Sequence, residues 1–122
     1  MKNIILGISI ILALGSVSCT DDQKIESKVC KATESIDNVP WIVELKKSIT
    51  NCQCEISIIK GTYNGQTVIF VAITDPVCNS INTPTLYNCE GKEIRSFTSS
   101  TTDQKELRDN VTWDSVLYRC KA

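Results

Sequence analysis

Hydrophobic and polar positions change rhythm several times along this chain, and each change predicts an element. Ile4 to Leu14 is an apolar run broken only by Gly7 and Ser9. It is shorter than the roughly 20 residues a membrane-spanning helix needs. Residues 20–37 are polar, with Cys30 the main exception. Ile42, Leu45 and Ile49 then recur at helical spacing, with Trp41 beside them and Glu44, Lys46, Lys47 and Ser48 on a solvated side. Pro40 suits the first turn of that helix, and Asp37 or Asn38 is placed to cap it. Trp41 is read as a ring sealing the core edge rather than a ligand-stacking residue.

Beyond the helix the period shortens to two. Cys54–Tyr63 and Gln66–Thr74 are β-rich runs around Asn64-Gly65, the pair that a two-residue type I′ turn demands. That turn sets Tyr63 opposite Gln66, Ile58 opposite Val71 and Ile56 opposite Ile73. One face then carries Ile56, Ile58, Ile69, Val71 and Ile73. The other carries Ile59, Val68, Phe70 and Ala72. A second strand apolar on both sides is a central strand or one whose outer face is covered. If that second face is left open, Tyr63, Val68, Phe70 and Ile59 form a candidate partner surface.

Asp75 to Thr85 reads as a long loop tied down by Cys78. Leu86–Cys89 and Lys92–Phe97 flank Glu90-Gly91 as a second hairpin. Asp103 with Glu106 three residues later matches a capping box opening a short helix to about Asn110. Val116–Cys120 is a last strand, and residues 111–115 stay ambiguous. These elements predict an α+β fold: a small antiparallel sheet of three to five strands, one amphipathic helix packed on a face, stapled by disulfides.

The amino-terminal pattern carries the most information. Lys2 is followed by the apolar run, then by the mostly small residues 15–18, then by Cys19 and an abrupt turn to Thr20-Asp21-Asp22. A charged, apolar and small-residue series is the layout of a secretory signal, and a cysteine at the junction makes it resemble a lipoprotein signal. Two readings of the junction compete: cleavage before an acylated Cys19, or ordinary cleavage after Ser16-Val17-Ser18 at the same bond. Ser16 departs from the aliphatic residue that the lipoprotein pattern prefers there. Thr20-Asp21-Asp22 resembles the acidic export tag of surface-displayed lipoproteins of Bacteroidota. The expected organisation is a cleaved signal at 1–18, acylated Cys19 with a polar tether through residue 37, and one disulfide-bonded domain at 38–122.

Cysteine parity agrees. Of seven cysteines, six follow Cys19: Cys30, Cys52, Cys54, Cys78, Cys89 and Cys120. An even set outside the cytoplasm points to bridges. Six cysteines allow 15 pairings. The expectation links Cys30 to the body of the domain, and Cys52 or Cys54 to Cys78 or Cys89. Cys52-Gln53-Cys54 has no second pair and no histidine to complete a metal site, so metal binding and redox shuttling give way to structural bridges. Removing residues 1–18 leaves 104 residues, a single small domain that gains from such staples.

Composition narrows the chemistry. The chain has no histidine, which removes Ser-His-Asp and Cys-His hydrolases and histidine shuttles. Lysine plus arginine nearly balances the acids, 13 against 14, with no basic stripe to neutralise phosphates, so no nucleic-acid partner is expected. Glu90, Glu93, Asp103, Glu106 and Asp109 are read as solvated carboxylates. No cofactor and no metal are expected. Asp114-Ser115-Val116 resembles the short O-glycosylation motif of exported Bacteroidota proteins, which makes Ser115 a candidate.

From Pro40-Trp41 through Cys52-Gln53-Cys54, Gly61–Val68, Asp75–Asn79, Tyr87–Gly91 and Tyr118-Arg119-Cys120, the chain resembles small cysteine-containing lipoproteins of Bacteroidota. The resemblance implies location and a compact bridged domain, and it brings no active-site residues with it. The expected protein is a non-enzymatic binding module, lipid-anchored in the outer membrane at the cell surface or on the periplasmic face, with a protein or glycan partner. The alternative is an extracellular enzyme inhibitor, with Asp75–Thr85 as its loop, or a small carboxylate- or thiol-based enzyme.

Overall fold

The computed structural model describes Cys30 and residues 35–121. Cys19, the expected signal segment and most of the expected tether lie outside the described residues. Packing begins ahead of the expected boundary at residue 38. A 3-10 turn at Ile36–Asn38 is capped by the Ser35 hydroxyl, Ile36 packs into the core, and Cys30 is bridged to Cys89.

Helix α1 spans Pro40–Ser48 and buries Ile42 completely. Its N-cap is Val39, with no side-chain cap. The expected capping by Asp37 or Asn38 does not form, because Asp37 accepts from Lys46 Nζ at 2.8 Å instead. The hairpin of β1 (Ile56–Tyr63) and β2 (Gln66–Ile73) turns through Asn64 and Gly65, at φ 50° and 78°. Both left-handed positions suit the type I′ turn. Its register pairs Tyr63 with Gln66, Ile58 with Val71 and Ile56 with Ile73, as the turn predicts.

Strands β3 (Thr85–Tyr87) and β4 (Glu93–Ser96) form the second hairpin, shorter than expected. Helix α2 spans Thr101–Asn110, and β5 (Val111–Cys120) follows at once. The five strands make one antiparallel sheet in the order β4-β3-β2-β1-β5. Alternation across that order sets β4 and β5 running the same way at opposite edges. The chain between them must cross the sheet, and α2 makes the crossing. The sheet therefore carries a helix on each face rather than one helix on one face.

Residues 111–115 resist period-two reading because β5 is bulged twice. Its register against β1 slips at Asp114 and again at Leu117. Asp114 is held by hydroxyl donors from Thr62 at 2.8 Å and Thr112 at 2.9 Å. The α2 cap also lies three residues before the expected one. Ser100 accepts from the Asp103 amide at 3.2 Å, and Asp103 reaches back to the Thr98 amide at 2.8 Å.

Two apolar clusters flank the sheet. Ile58 and Ile69 pack on Val39 and Ile42 beneath α1. Ile59, Val68, Phe70 and Ala72 pack with Leu86, Phe97, Leu107 and Val111 beneath α2. Three disulfides close the frame: Cys30–Cys89, Cys52–Cys120 and Cys54–Cys78, with Cα separations of 5.9, 5.6 and 6.0 Å. Cys30 thus joins the body of the domain and Cys54 joins Cys78, as expected.

Candidate functional site

The expected partner surface lies inside the molecule. Val68 and Phe70 have no exposed area and Ile59 has 2%. They are covered because α2 lies across that face and Leu86, Phe97, Leu107 and Val111 close over them. Tyr63 is half-buried, and its hydroxyl donates to Glu106 Oε1.

Two of the carboxylates read as solvated are likewise committed. Arg95 donates to Asp103 at 2.9 Å and to Glu106 at 3.0 Å, and its guanidinium lies 4.7 Å from the centre of the Phe97 ring. Hydrogen bonds from Thr98, with Arg95 beside them, hold the Asp103 carboxyl below its ordinary range. The Tyr63 hydroxyl and then Arg95 do the same for Glu106, while Glu106 raises Tyr63. This network locks α2 to β4 and to the β1–β2 hairpin. Its carboxylates point at protein donors rather than into a cleft. Among the described residues, no group of three or more His, Cys, Asp or Glu side chains is arranged to hold a metal ion.

The open surface is elsewhere on the same side of the sheet. The large hydrophobic residues most exposed are Val77, Ile81, Trp113 and Val116. Trp113 sits opposite Gly61, and its ring meets Phe70 edge-on at 5.4 Å between centroids. Phe70 thus stays buried while Trp113, at 45% exposure, carries the aromatic surface outward.

Trp113 is the shared wall of two shallow grooves. One, of about 520 Å³, runs between α2, the 75–84 loop and β5, and is lined by Ile81, Leu107, Arg108 and Val111 among others. The second, of about 430 Å³, runs toward Glu55, Pro76, Val116 and Arg119. A third groove of about 470 Å³ lies on the opposite face between α1 and β3, with Leu45, Ile49, Val71 and Tyr87 in its walls.

The loop beside Trp113 is braced at several points. Cys78 is bridged to Cys54, and the Asp75 side chain accepts from the Val77 amide at 3.0 Å. The Asn82 amide pairs with both main-chain groups of Ile73, at 2.8 and 3.2 Å, in the manner of a neighbouring strand. Gln104 Nε2 donates to the Asn82 carbonyl at 2.8 Å.

Trp113 is the residue that sequence reasoning missed. Its signal is a large aromatic alone in the polar stretch Thr112-Trp113-Asp114-Ser115, away from any apolar rhythm. Ser115 is exposed, pairs with Lys60, and lines the groove that runs from Trp113 toward Glu55. Trp41 seals the core edge, lying over Gly91 and 5.8 Å from the Tyr87 ring centre, with its buried Nε1 unpaired among the described residues. The six cysteines from Cys30 onward are all in bridges, and Cys19 lies outside the described residues.

No family model matches the chain, and comparison with curated proteins and with solved structures finds no match.

Proposed function

We propose that this protein is an extracytoplasmic, lipid-anchored interaction module that engages a protein partner through the surface centred on Trp113. The observation that carries the reading is the position of that indole: exposed, central to two grooves, and mounted on a bridged frame with a braced loop beside it. Exposed apolar clusters rimmed by polar groups are the usual mark of a partner surface, and tryptophan is enriched among interface residues that carry binding energy. Rigid mounting lowers the entropy lost on association.

The bridges support the location. Three disulfides belong to an oxidising compartment. They consume every cysteine after Cys19, which leaves that thiol to the acyl group. On this reading the signal at 1–18 is removed, Cys19 anchors the chain in the outer membrane, and Ser115 is the glycosylated residue. Radiolabelled palmitate should enter the protein and be lost in Cys19→Ala. A photo-crosslinking residue at position 113 should then capture one partner on intact cells, and the same crosslinker at Thr101 should not. Equal capture at both positions, or none at 113 in folded protein, rejects the reading.

One observation favours a second function, enzyme inhibition. Val77 is 88% exposed at the tip of the braced loop, next to the Cys54–Cys78 bridge. A rigid protruding aliphatic residue fits a protease pocket. Val77→Asp should abolish inhibition of any susceptible protease while leaving partner capture at position 113 intact.

A further inference from the structure

The two grooves that meet at Trp113 differ in charge. In the groove toward Glu55, Arg119 shares its wall with two carboxylates, Asp114 and Glu55, the latter 4.0 Å from its Nε and 3.4 Å from Lys121 Nζ. In the groove beside α2, Arg108 is the one charged lining residue. Its acidic neighbours are engaged elsewhere. Asp109 is paired with Lys105, and Asp103 and Glu106 are paired with Arg95. Among the described residues, Arg108 makes no ion pair. It complements the carboxyl end of α2, and that role leaves most of its five N–H donors available.

The remaining polar groups of this groove are largely spent. Both polar atoms of the Asn82 side chain serve Ile73, and Gln104 Nε2 serves two carbonyls. A sugar needs donors and acceptors spread over its whole face, and apart from Arg108 the side-chain polar groups left in this wall are few, with Ser80 at its edge. It offers apolar walls from Ile81, Leu107, Val111 and Trp113, and one guanidinium.

The main chain adds a further contact. Tyr63 and Gln66 close a two-residue turn, so they form a hydrogen-bonded pair. Alternation along β1 then turns the main-chain groups of Thr62 and Lys60 toward β5, and those of Gly61 and Ile59 toward β2. Thr112 and Ser115 therefore bond to β1, while Trp113 and Val116, opposite Gly61 and Ile59, direct their amides and carbonyls outward. The bulges make that edge uneven, which hinders pairing with a long flat strand. The Trp113 amide and carbonyl still suit one residue of a short peptide.

We propose that the groove beside α2 takes an acidic, apolar peptide segment of the partner. An apolar side chain packs between Ile81 and Trp113, a carboxylate one or two residues away pairs with Arg108, and the ligand main chain meets the outward groups of Trp113. This rests on the interaction-module reading and names the chemistry of its partner.

The test uses the disulfide-intact, isotope-labelled protein and two probes, acetyl-Leu-Asp-Leu-amide and acetyl-Leu-Asn-Leu-amide. Titration should move the Trp113 indole N–H resonance, with the Asp peptide binding about fivefold tighter, as one partly exposed charge pair provides. Arg108→Gln should equalise the two peptides, and added salt should shrink the difference. Arg119→Gln should leave it unchanged. The proposal is overturned if the peptides bind equally to the native protein, or if the Asp preference survives Arg108→Gln. It is also overturned if neither peptide moves Trp113 up to about 10 mM, or if a uronic-acid oligosaccharide moves it where the peptides do not. Crosslinking at position 113 separates the two levels: a captured partner with no Asp preference sinks only the ligand chemistry, and loss of both sinks the surface as well.

Discussion

The Phe70 ring lies edge-on to Trp113, with an interplanar angle of 72°, and Phe70 closes over Gly61, the residue that Trp113 faces across the strand pair. A Cβ at Gly61 collides with the Thr112 carbonyl oxygen and falls 3.1 Å from Phe70 Cε1. Main chain cannot yield as a side-chain tip does, so β5 must shift. Gly61→Ala is expected to cost about 1–3 kcal/mol, the usual cost of overpacking. Urea unfolding measures it, and Trp113 emission in the folded variant should change with the displaced strand. A cost near zero with unchanged emission contradicts this packing.

The two tryptophans should be separable by light. Trp41→Phe leaves the half-exposed Trp113, so its emission should be red-shifted and readily quenched by acrylamide. Trp113→Phe leaves Trp41, whose Nε1 is buried, so its emission should be blue-shifted and protected. The opposite ranking would mean that Trp113 is covered.

Acid should loosen α2. The Asp103 and Glu106 carboxyls are held below their ordinary values of 3.8 and 4.5 in the folded state. A depressed folded value gives stability that is present above the unfolded value and is lost as pH falls through the folded one. Stability should therefore decline below about pH 4.5, and Glu106→Gln should flatten part of that slope. Tyr63 has the opposite sign. Its folded value is raised above 10.0, so its share is present below that pH and is lost as pH rises through the folded value. Thermal unfolding from pH 2 to 11 tests both limbs, and Tyr63→Phe should remove the alkaline one.

The bridges should contribute unequally. Cys54–Cys78 spans 24 residues and Cys52–Cys120 spans 68. Loop-closure entropy gives about 3.5 and about 4.4 kcal/mol for paired alanine variants. Denaturant titration in oxidised protein should rank them in that order. Titration of native protein should find no free thiol among the six cysteines from Cys30 onward.

Legibility followed local chemistry. Asn64-Gly65 specified the hairpin register to the residue, because only a turn with two left-handed positions fits and it leaves no freedom to slip. The face of Phe70 was harder. Apolar residues on both sides of β2 signal a covered strand, but the cover comes from residues further along the chain, Leu86, Phe97, Leu107 and Val111, with α2 across them. Asp114 and Leu117 hid the start of β5, since each bulge resets the alternation that a reader counts. The α2 cap moved to Ser100 because Asp103 has a stronger use, as the acceptor for Thr98 and Arg95. The pairings Cys30–Cys89 and Cys52–Cys120 depend on which strand edges meet, and no spacing rule encodes that.

The disulfide connectivity gives the domain a short covalent leash. A pull on Cys30 against Cys120 passes through the bridge to Cys89, eleven residues back to Cys78, across to Cys54, two residues to Cys52, and over the last bridge. Thirteen residues stretch to about 45 Å, where the uninterrupted backbone between those ends would reach about 300 Å. Tension between those two ends of the domain therefore meets covalent bonds long before the chain pays out. A single proteolytic nick anywhere from Cys30 to Cys120 leaves both fragments fastened together.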